Sequence, residues 1–447
     1  MRAHTNQPDQ SLRSGLVRRA LWQGALLASA ILMLASGLRF TASAQTQSSA
    51  SFGTDRAATV SSAADPQAGQ RHPRKHLQTI ELQLVVLTGG TLIDGTGAPP
   101  LADAAVVVRG DRIVEVGRGG DVGVPSSATV IDVQGATILP GVINAHVHSV
   151  YRESSLEAWA HEGVTTVRDL CGPAQYALVH SLALNPRLAR VVASGPFITV
   201  PNGYPIVPWG STNAVPVSGP EQARVAANQL IDQGADIIKI ALESGADFGR
   251  PIPTLSLQEA AAVVEAAHAR EIPVSAHVTT SPDLPRALDA GVDDIAHMVV
   301  DYPSSELLAR VVRQGVVWVP TLELWRVVGY GHEPRAVANL RRFVEAGGTV
   351  ALGTDFDGYN APFQLGMPII EMELMQQAGM SPMQIIVAAT RNAALVSNRL
   401  GDLGTVEVGK IADIVVVRGD PLRDIHALAD VRLVMRSGVV IRNDGFD

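Results

Sequence analysis

Cysteine is nearly missing from this 447-residue chain, where Cys171 stands alone. That excludes an internal disulfide and a zinc cluster built on thiolates. Charge is sparse too. Charged residues make up 17% and the formal net charge is −8, so the basic surface that nucleic-acid binding needs is absent. There is no internal repeat. No glycine-rich phosphate loop follows the first strand of the alternating middle, which argues against a dinucleotide site. What is present is apolar material, 46% of residues, in a chain long enough for one large domain and a smaller one.

The N-terminus reads as a targeting segment. Arg18 and Arg19 precede an uncharged run from Ala20 to Leu38, followed by Thr41-Ala42-Ser43-Ala44. A basic region, an apolar region and an Ala-x-Ala site are the parts of a secretory signal, with cleavage expected after Ala44. The expected location is therefore exported, periplasmic or secreted. The alternative is a membrane anchor made by the same segment uncleaved. Residues 1–44 hold five arginines and one aspartate, so cleavage takes the net charge from −8 to −12. Such an acidic chain has no electrostatic reason to stay on an anionic membrane. Residues 45–78 are rich in Ser, Ala and Gln with few apolar residues, and read as a disordered linker.

From residue 79 the pattern is folded. Short β-branched runs broken by glycines fill 79–140 and return in 401–447. Neither end has enough strands for its own core, so the two are expected to pair into one small β-sandwich. The middle, 141–400, alternates strand and helix. Eight apolar runs stand out: 142–146, 165–170, 190–195, 236–241, 272–277, 293–297, 316–321 and 349–355. Helical stretches such as EQARVAANQLIDQG and LQEAAAVVEAAHARE lie between them. The expected fold is α/β, a (β/α)8 TIM-like barrel, with a doubly wound open sheet as the alternative.

In a barrel, the C-terminal strand ends face one shared site. His146 and His148, in GVINAHVH, lie two apart at the end of the first run. Side chains i and i+2 of a strand share a face, so both imidazoles project together. Lys239 sits near the end of the fourth run, His277 ends the fifth, His297 the sixth and Asp355 the eighth. Each alone is equally an ordinary core or turn residue. The other eight histidines fall on helices, loops or tails, and that partition is hard to obtain from packing. Metal ligands converge in this way from separate strands.

These residues, in this order and spacing, resemble the metal-dependent amidohydrolase superfamily, in its imidazolonepropionase-like and Xaa-Pro dipeptidase-like branch. The segments GGTLIDGTG (89–97), GVTTVRDL (163–170) and GTVEVGKIADIVVV (404–417) are similar to it as well. The resemblance implies two divalent metal ions. His146 and His148 bind the more buried one and His277 and His297 the second. Lys239 carries a carbon dioxide-derived carbamate that bridges them. Asp355 is both ligand and proton shuttle. Zinc suits this nitrogen and oxygen set, and manganese and iron are also compatible. The implied reaction is hydrolysis of an amide C–N bond in a small-molecule amide or peptide. A metal-bridged hydroxide attacks, and Asp355 passes its proton to the leaving nitrogen.

Substrate contacts are read from the loops. Tyr151 and Arg152 follow the histidine pair, and Arg152 is able to grip a carboxylate. The loop GPFITVPNGYPIVPWG (195–210) offers Tyr204 and Trp209, and LELWRVVGYGHEP offers Trp325, Tyr330 and His332. Members of the family often have a Gly/His-rich segment where this chain has the loop 195–210, so no relative's specificity carries over directly. Two other functions stay open: a mononuclear cyclic-amide hydrolase or deaminase, and an exported binding protein without turnover. Assembly into a homo-oligomer is also left open by the sequence.

Overall fold

The computed structural model describes residues 83–148, 150–329, 331–357 and 363–446. The expected signal (1–44) and linker (45–78), and also Tyr330, lie outside the described residues. The chain begins with strands β1 (Leu84–Leu92), β2 (Leu101–Arg109), β3 (Arg112–Arg118), β4 (Thr129–Asp132) and β5 (Thr137–Pro140). The middle supplies β6 (Val142–Val147), β7 (Val164–Asp169), β8 (Arg190–Ala193), β9 (Phe197–Thr199), β10 (Ala214–Pro216), β11 (Ile238–Ala241), β12 (Val274–His277), β13 (Asp294–Ala296) and β14 (Val317–Val319). The end adds β15 (Ile414–Val417), β16 (Val431–Arg436) and β17 (Val439–Asn443).

The two ends of the chain pair. One eight-stranded sheet runs β17-β16-β15-β5-β1-β2-β3, with β4 beside β1. The seam is β15 against β5, antiparallel, with Ile414 opposite Pro140. Val85, Leu87, Val106 and Ile138 from one end and Ile414, Val416 and Leu433 from the other are buried in one apolar cluster. Neither half has that core alone, which is why sequence segments some 270 residues apart find each other.

The middle is an α/β, TIM-like arrangement of parallel strands. β6, β7 and β8 form one sheet, and β10-β9-β11-β12-β13-β14 form the other. The backbone continues across the gaps. Asp236 N donates to Ala193 O at 3.0 Å, beside the end of β8. The eighth run, 349–355, is not a regular strand. It still bonds both neighbours: Ala351 N to Trp318 O at 3.0 Å, and Ala145 N to Leu352 O at 2.8 Å. Its irregularity has a local cause. A Cβ on Gly353 would lie 2.5 Å from Val319 and 2.7 Å from His146, so only glycine lets the backbone come this close to β6. Two residues on, Asp355 is left-handed with φ 67°.

Helices cover the strands where the sequence indicated. Pro220–Gln233 starts on a proline, buries Ala223, Ala226, Ala227, Leu230 and Ile231, and stops at left-handed Gly234. Leu257–His268 opens with a capping box between Ser256 and Glu259. No described helix is long and apolar enough to cross a membrane.

Candidate metal centre

β6 carries His146 inward and stops at Val147, with His148 just beyond it. Asp355 is brought to them by backbone bonding: its N–H donates to His146 O at 2.9 Å. Asn144 fixes the same seam, donating to Thr354 Oγ1 at 2.9 Å and accepting from Thr354 N at 3.2 Å. The side chains then meet. Asp355 Oδ1 is 2.9 Å from His146 Nε2 and 2.8 Å from His148 Nε2, and the two ring nitrogens are 3.2 Å apart. His277 and His297 end the neighbouring strands. The His146 and His297 rings are 4.8 Å apart, centre to centre, and those of His277 and His297 are 4.6 Å apart. Ligand atoms of His146, His297 and Asp355 all lie within 4.8 Å of one another. The structure thus gathers His146, His148, His277, His297 and Asp355.

Three consecutive strand ends here are strained. His297, Thr321 and Asp355 have φ of 73°, 47° and 67°. Positive φ is costly for a β-branched threonine, and strain of this kind is held where side chains must be aimed. Thr321 returns its cost by aiming a ring: its Oγ1 lies 3.0 Å from His297 Nδ1, which leaves Nε2 for the site.

The electrostatics suit metal ligands. Burial, with Lys239 adding to it, pushes His146 well below its ordinary pKa; burial does the same to His297 and lowers His277. These rings are therefore neutral at pH 7, the state that binds a cation. Burial by itself would raise the Asp355 carboxyl. His148, His146 and His297 outweigh it and hold the group ionised. His146 Nδ1, His148 Nδ1 and both nitrogens of His277 are buried without a hydrogen-bond partner. The His146 and His148 Nε2 atoms that converge on the Asp355 carboxylate, and the unpartnered ring of His277, fit divalent ions.

Lys239 is fully buried on β11, opposite Ser275, its Nζ 3.5 Å from Ser275 Oγ and 5.6 Å from the centre of the Phe197 ring. Burial pushes its ammonium down to about 7. A large share of the side chain is then a free amine at neutral pH.

The loop residues divide. Tyr204 stacks on His277 at 4.0 Å and 17°, and Trp325 stands 6.3 Å from His297, edge to face. His332 packs against Trp325 at 5.5 Å and pairs with Asp247 at 3.2 Å. Trp209 is 61% exposed and touches Phe248 rather than the histidines, at 6.0 Å. Tyr151 packs on Gly172, and Arg152 is exposed at the start of the helix Glu153–His161. The sequence did not single out Asn144 and Thr321, which hold Thr354 and His297 in place, nor the buried Glu243 and the fully buried pair Arg168–Asp294 beside the site. Arg168 and Asp294 gave the same signal as Lys239, a charged residue inside an apolar strand run.

Residues 137–441 match the amidohydrolase family model. The chain is 25% identical over 433 residues to ochratoxinase of Aspergillus niger, covering 82% of this chain and 87% of that one. It is 24% identical over 408 residues to imidazolonepropionase of Chloroflexus aggregans, covering 77% and 92%. Among solved structures, a Xaa-Pro dipeptidase with bound methionine superposes with a TM-score of 0.69 at 25% identity, over 81% of this chain and all of that one. The strand-end histidines and the matched family lead to one conclusion: this chain belongs to the amidohydrolase family and is a hydrolase of carbon–nitrogen bonds.

Proposed function

We propose that the protein is an exported, binuclear metal-dependent amidohydrolase that cleaves the amide bond of a dipeptide, an N-acyl amino acid or a related small amide. The convergence of four histidines and Asp355 at one end of the parallel strands, with Lys239 buried on β11 and acting electrostatically on His146, carries this reading. His146, His148 and Asp355 would hold one ion, and His277 and His297 the other. The Lys239 amine would add to carbon dioxide and release one proton, giving a carbamate that would supply anionic oxygen ligands. Zinc fits this donor set. When bound, such ions act as Lewis acids toward the substrate carbonyl and lower the proton affinity of water.

The chain's own residues do the rest. Asp355 accepts the proton lost by attacking water and delivers it to the leaving nitrogen, since an amide nitrogen leaves poorly unprotonated. Tyr204 and Trp325, packed on the ligand rings, wall off water near the ions. The Xaa-Pro dipeptidase likeness supports a substrate with an amide bond to an amino acid. The barrel (141–400) carries the site, and the eight-stranded sheet is read as a folded β-sandwich built from 79–140 and 401–447. Export follows from the signal in residues 1–44, with Gln45 as the mature N-terminus.

A mononuclear cyclic-amide hydrolase is the second reading. The tight His146–His297–Asp355 triad and the imidazolonepropionase likeness favour it. Metal analysis of purified protein, run with a panel of dipeptides and N-acyl amino acids, separates the two. The proposal expects two ions per chain and loss of activity on chelation. One ion in a fully active enzyme overturns it. Lys239→Ala should lose the second ion, and acetate, but not a small amine, should restore part of it.

A further inference from the structure

Glu243 has no role in the reading above. It lies two residues past the end of β11, in the turn ALESGAD, and is fully buried. A buried carboxylate is costly unless it is bonded, and this one is bonded twice from its own surroundings. Its Oε1 accepts the Gly245 N–H at 2.6 Å, and its Oε2 accepts the Thr279 hydroxyl. Gly245 has φ 89°, and a Cβ there would strike Arg250 O at 1.9 Å, so the turn that presents its N–H admits only glycine. The carboxylate is therefore locked in place.

What it is locked against is His277. Oε2 stands 3.7 Å from His277 Nε2, longer than a hydrogen bond and within ion-pair range. The rest of the ring is held by apolar contact, with Tyr204 stacked on one face and Phe197 edge-on at 6.2 Å. Nδ1 has no partner. We infer that Glu243 is a positioning residue for the second metal: its fixed negative charge, facing His277 Nε2 at 3.7 Å, favours the tautomer that carries the proton on Nε2 and so leaves the Nδ1 lone pair for the ion. A carboxylate behind a ligating histidine raises the basicity of that ligand and sets its orientation. The inference rests on the binuclear reading, since it needs His277 to be a ligand.

The structural alternative is that Glu243 only pins the turn through Gly245 and Thr279. Thr279→Val removes one of those bonds and leaves the carboxylate facing His277. Glu243→Gln removes the charge at nearly constant shape. The test is titration of metal-free protein with cobalt(II), followed by calorimetry and by the visible bands of the bound ion. Wild type should take up two ions. Glu243→Gln should weaken the second ion by about 10–100-fold and shift its bands, while Thr279→Val changes its affinity by less than about threefold. If Glu243→Gln does not fold, Glu243→Asp, which keeps the charge but draws it back from His277, should weaken the same ion by about tenfold. Equal second-ion affinity in wild type and the Glu243 variant refutes the positioning role alone. Wild type binding a single ion refutes the binuclear reading and this role with it. Two ions in wild type with a weakened second ion in the variant supports both.

Discussion

Arg168 and His146 are both fully buried within the same set of parallel strands, yet their polar atoms are treated in opposite ways. Arg168 makes four hydrogen bonds to the protein. It forks onto Asp294 at 2.8 and 2.9 Å, and also reaches Ala145 O and Val396 O, both at 2.7 Å. Asp294 in turn accepts from Ser275 Oγ at 2.7 Å. At the strand ends the donors are left open: His146 Nδ1, His148 Nδ1 and His277 have none of these bonds. A polar group buried and satisfied holds the fold. A polar group buried and unsatisfied is reserved for something the chain does not supply. The two sets are close neighbours, since Lys239, Ser275 and Asp294 are paired in register across β11, β12 and β13. The boundary between structure and chemistry therefore runs across a single row of residues.

The comparison is broken most severely by removing a member of the open set. His146→Ala should take amide hydrolysis to background. In metal-free protein its unfolding free energy should change by less than about 1 kcal/mol, the small end of single-substitution effects, because the ring makes few bonds that the fold needs. Equal loss of stability and activity would place His146 with Arg168 instead.

The converse substitution is Arg168→Met. It leaves the Asp294 charge buried and unpaired, and should cost about 3–5 kcal/mol in denaturant unfolding. Activity per folded molecule should fall far less than in His146→Ala. A stability loss under about 1 kcal/mol would mean that the pair is not the structural element described here.

Smaller again is Asp355→Asn. Turnover of an amide should fall by about a hundredfold, the usual scale of general acid–base catalysis, when measured at saturating metal. An activated ester, whose leaving group needs no proton, should be hit less. An equal loss on both substrates would remove the leaving-group role.

The difference between the two sets also explains what was legible in the sequence. His146, His148, Lys239, His277, His297 and Asp355 stood out because each is a polar residue ending an apolar run, and strand alternation carries that pattern into the primary structure. The pairing of the chain ends was legible for a similar reason, since neither end had enough strands alone. The Arg168–Asp294 fork was not, because it joins positions 126 apart and nothing local names the partner. The same holds for Glu243, whose meaning depends on where a glycine turn aims it. Strain at Thr321 is invisible in principle, as threonine is the residue least suited to positive φ. The Tyr204 and Trp325 contacts follow from loop geometry rather than from residue type. Trp209, in the same loop as Tyr204, is 61% exposed, and Arg152, in the loop after β6, is exposed too.

The finest test removes both members of the closed set at once. Arg168→Met/Asp294→Leu abolishes the uncompensated charge that makes the single variant costly, and apolar replacements of a buried ion pair are often tolerated. Full recovery is not expected. Ala145 O and Val396 O each lose the donor that Arg168 provided, and Ser275 Oγ loses its acceptor. Each orphaned group costs about 1–3 kcal/mol at most, with relaxation and water lowering the sum. The double variant should therefore sit about 1–3 kcal/mol below wild type, well above Arg168→Met alone. The coupling between the two positions, read from the full mutant cycle, should exceed about 2 kcal/mol. Additive losses would show that Arg168 and Asp294 act independently, and the line drawn between a satisfied interior and an open strand-end site would lose its clearest support.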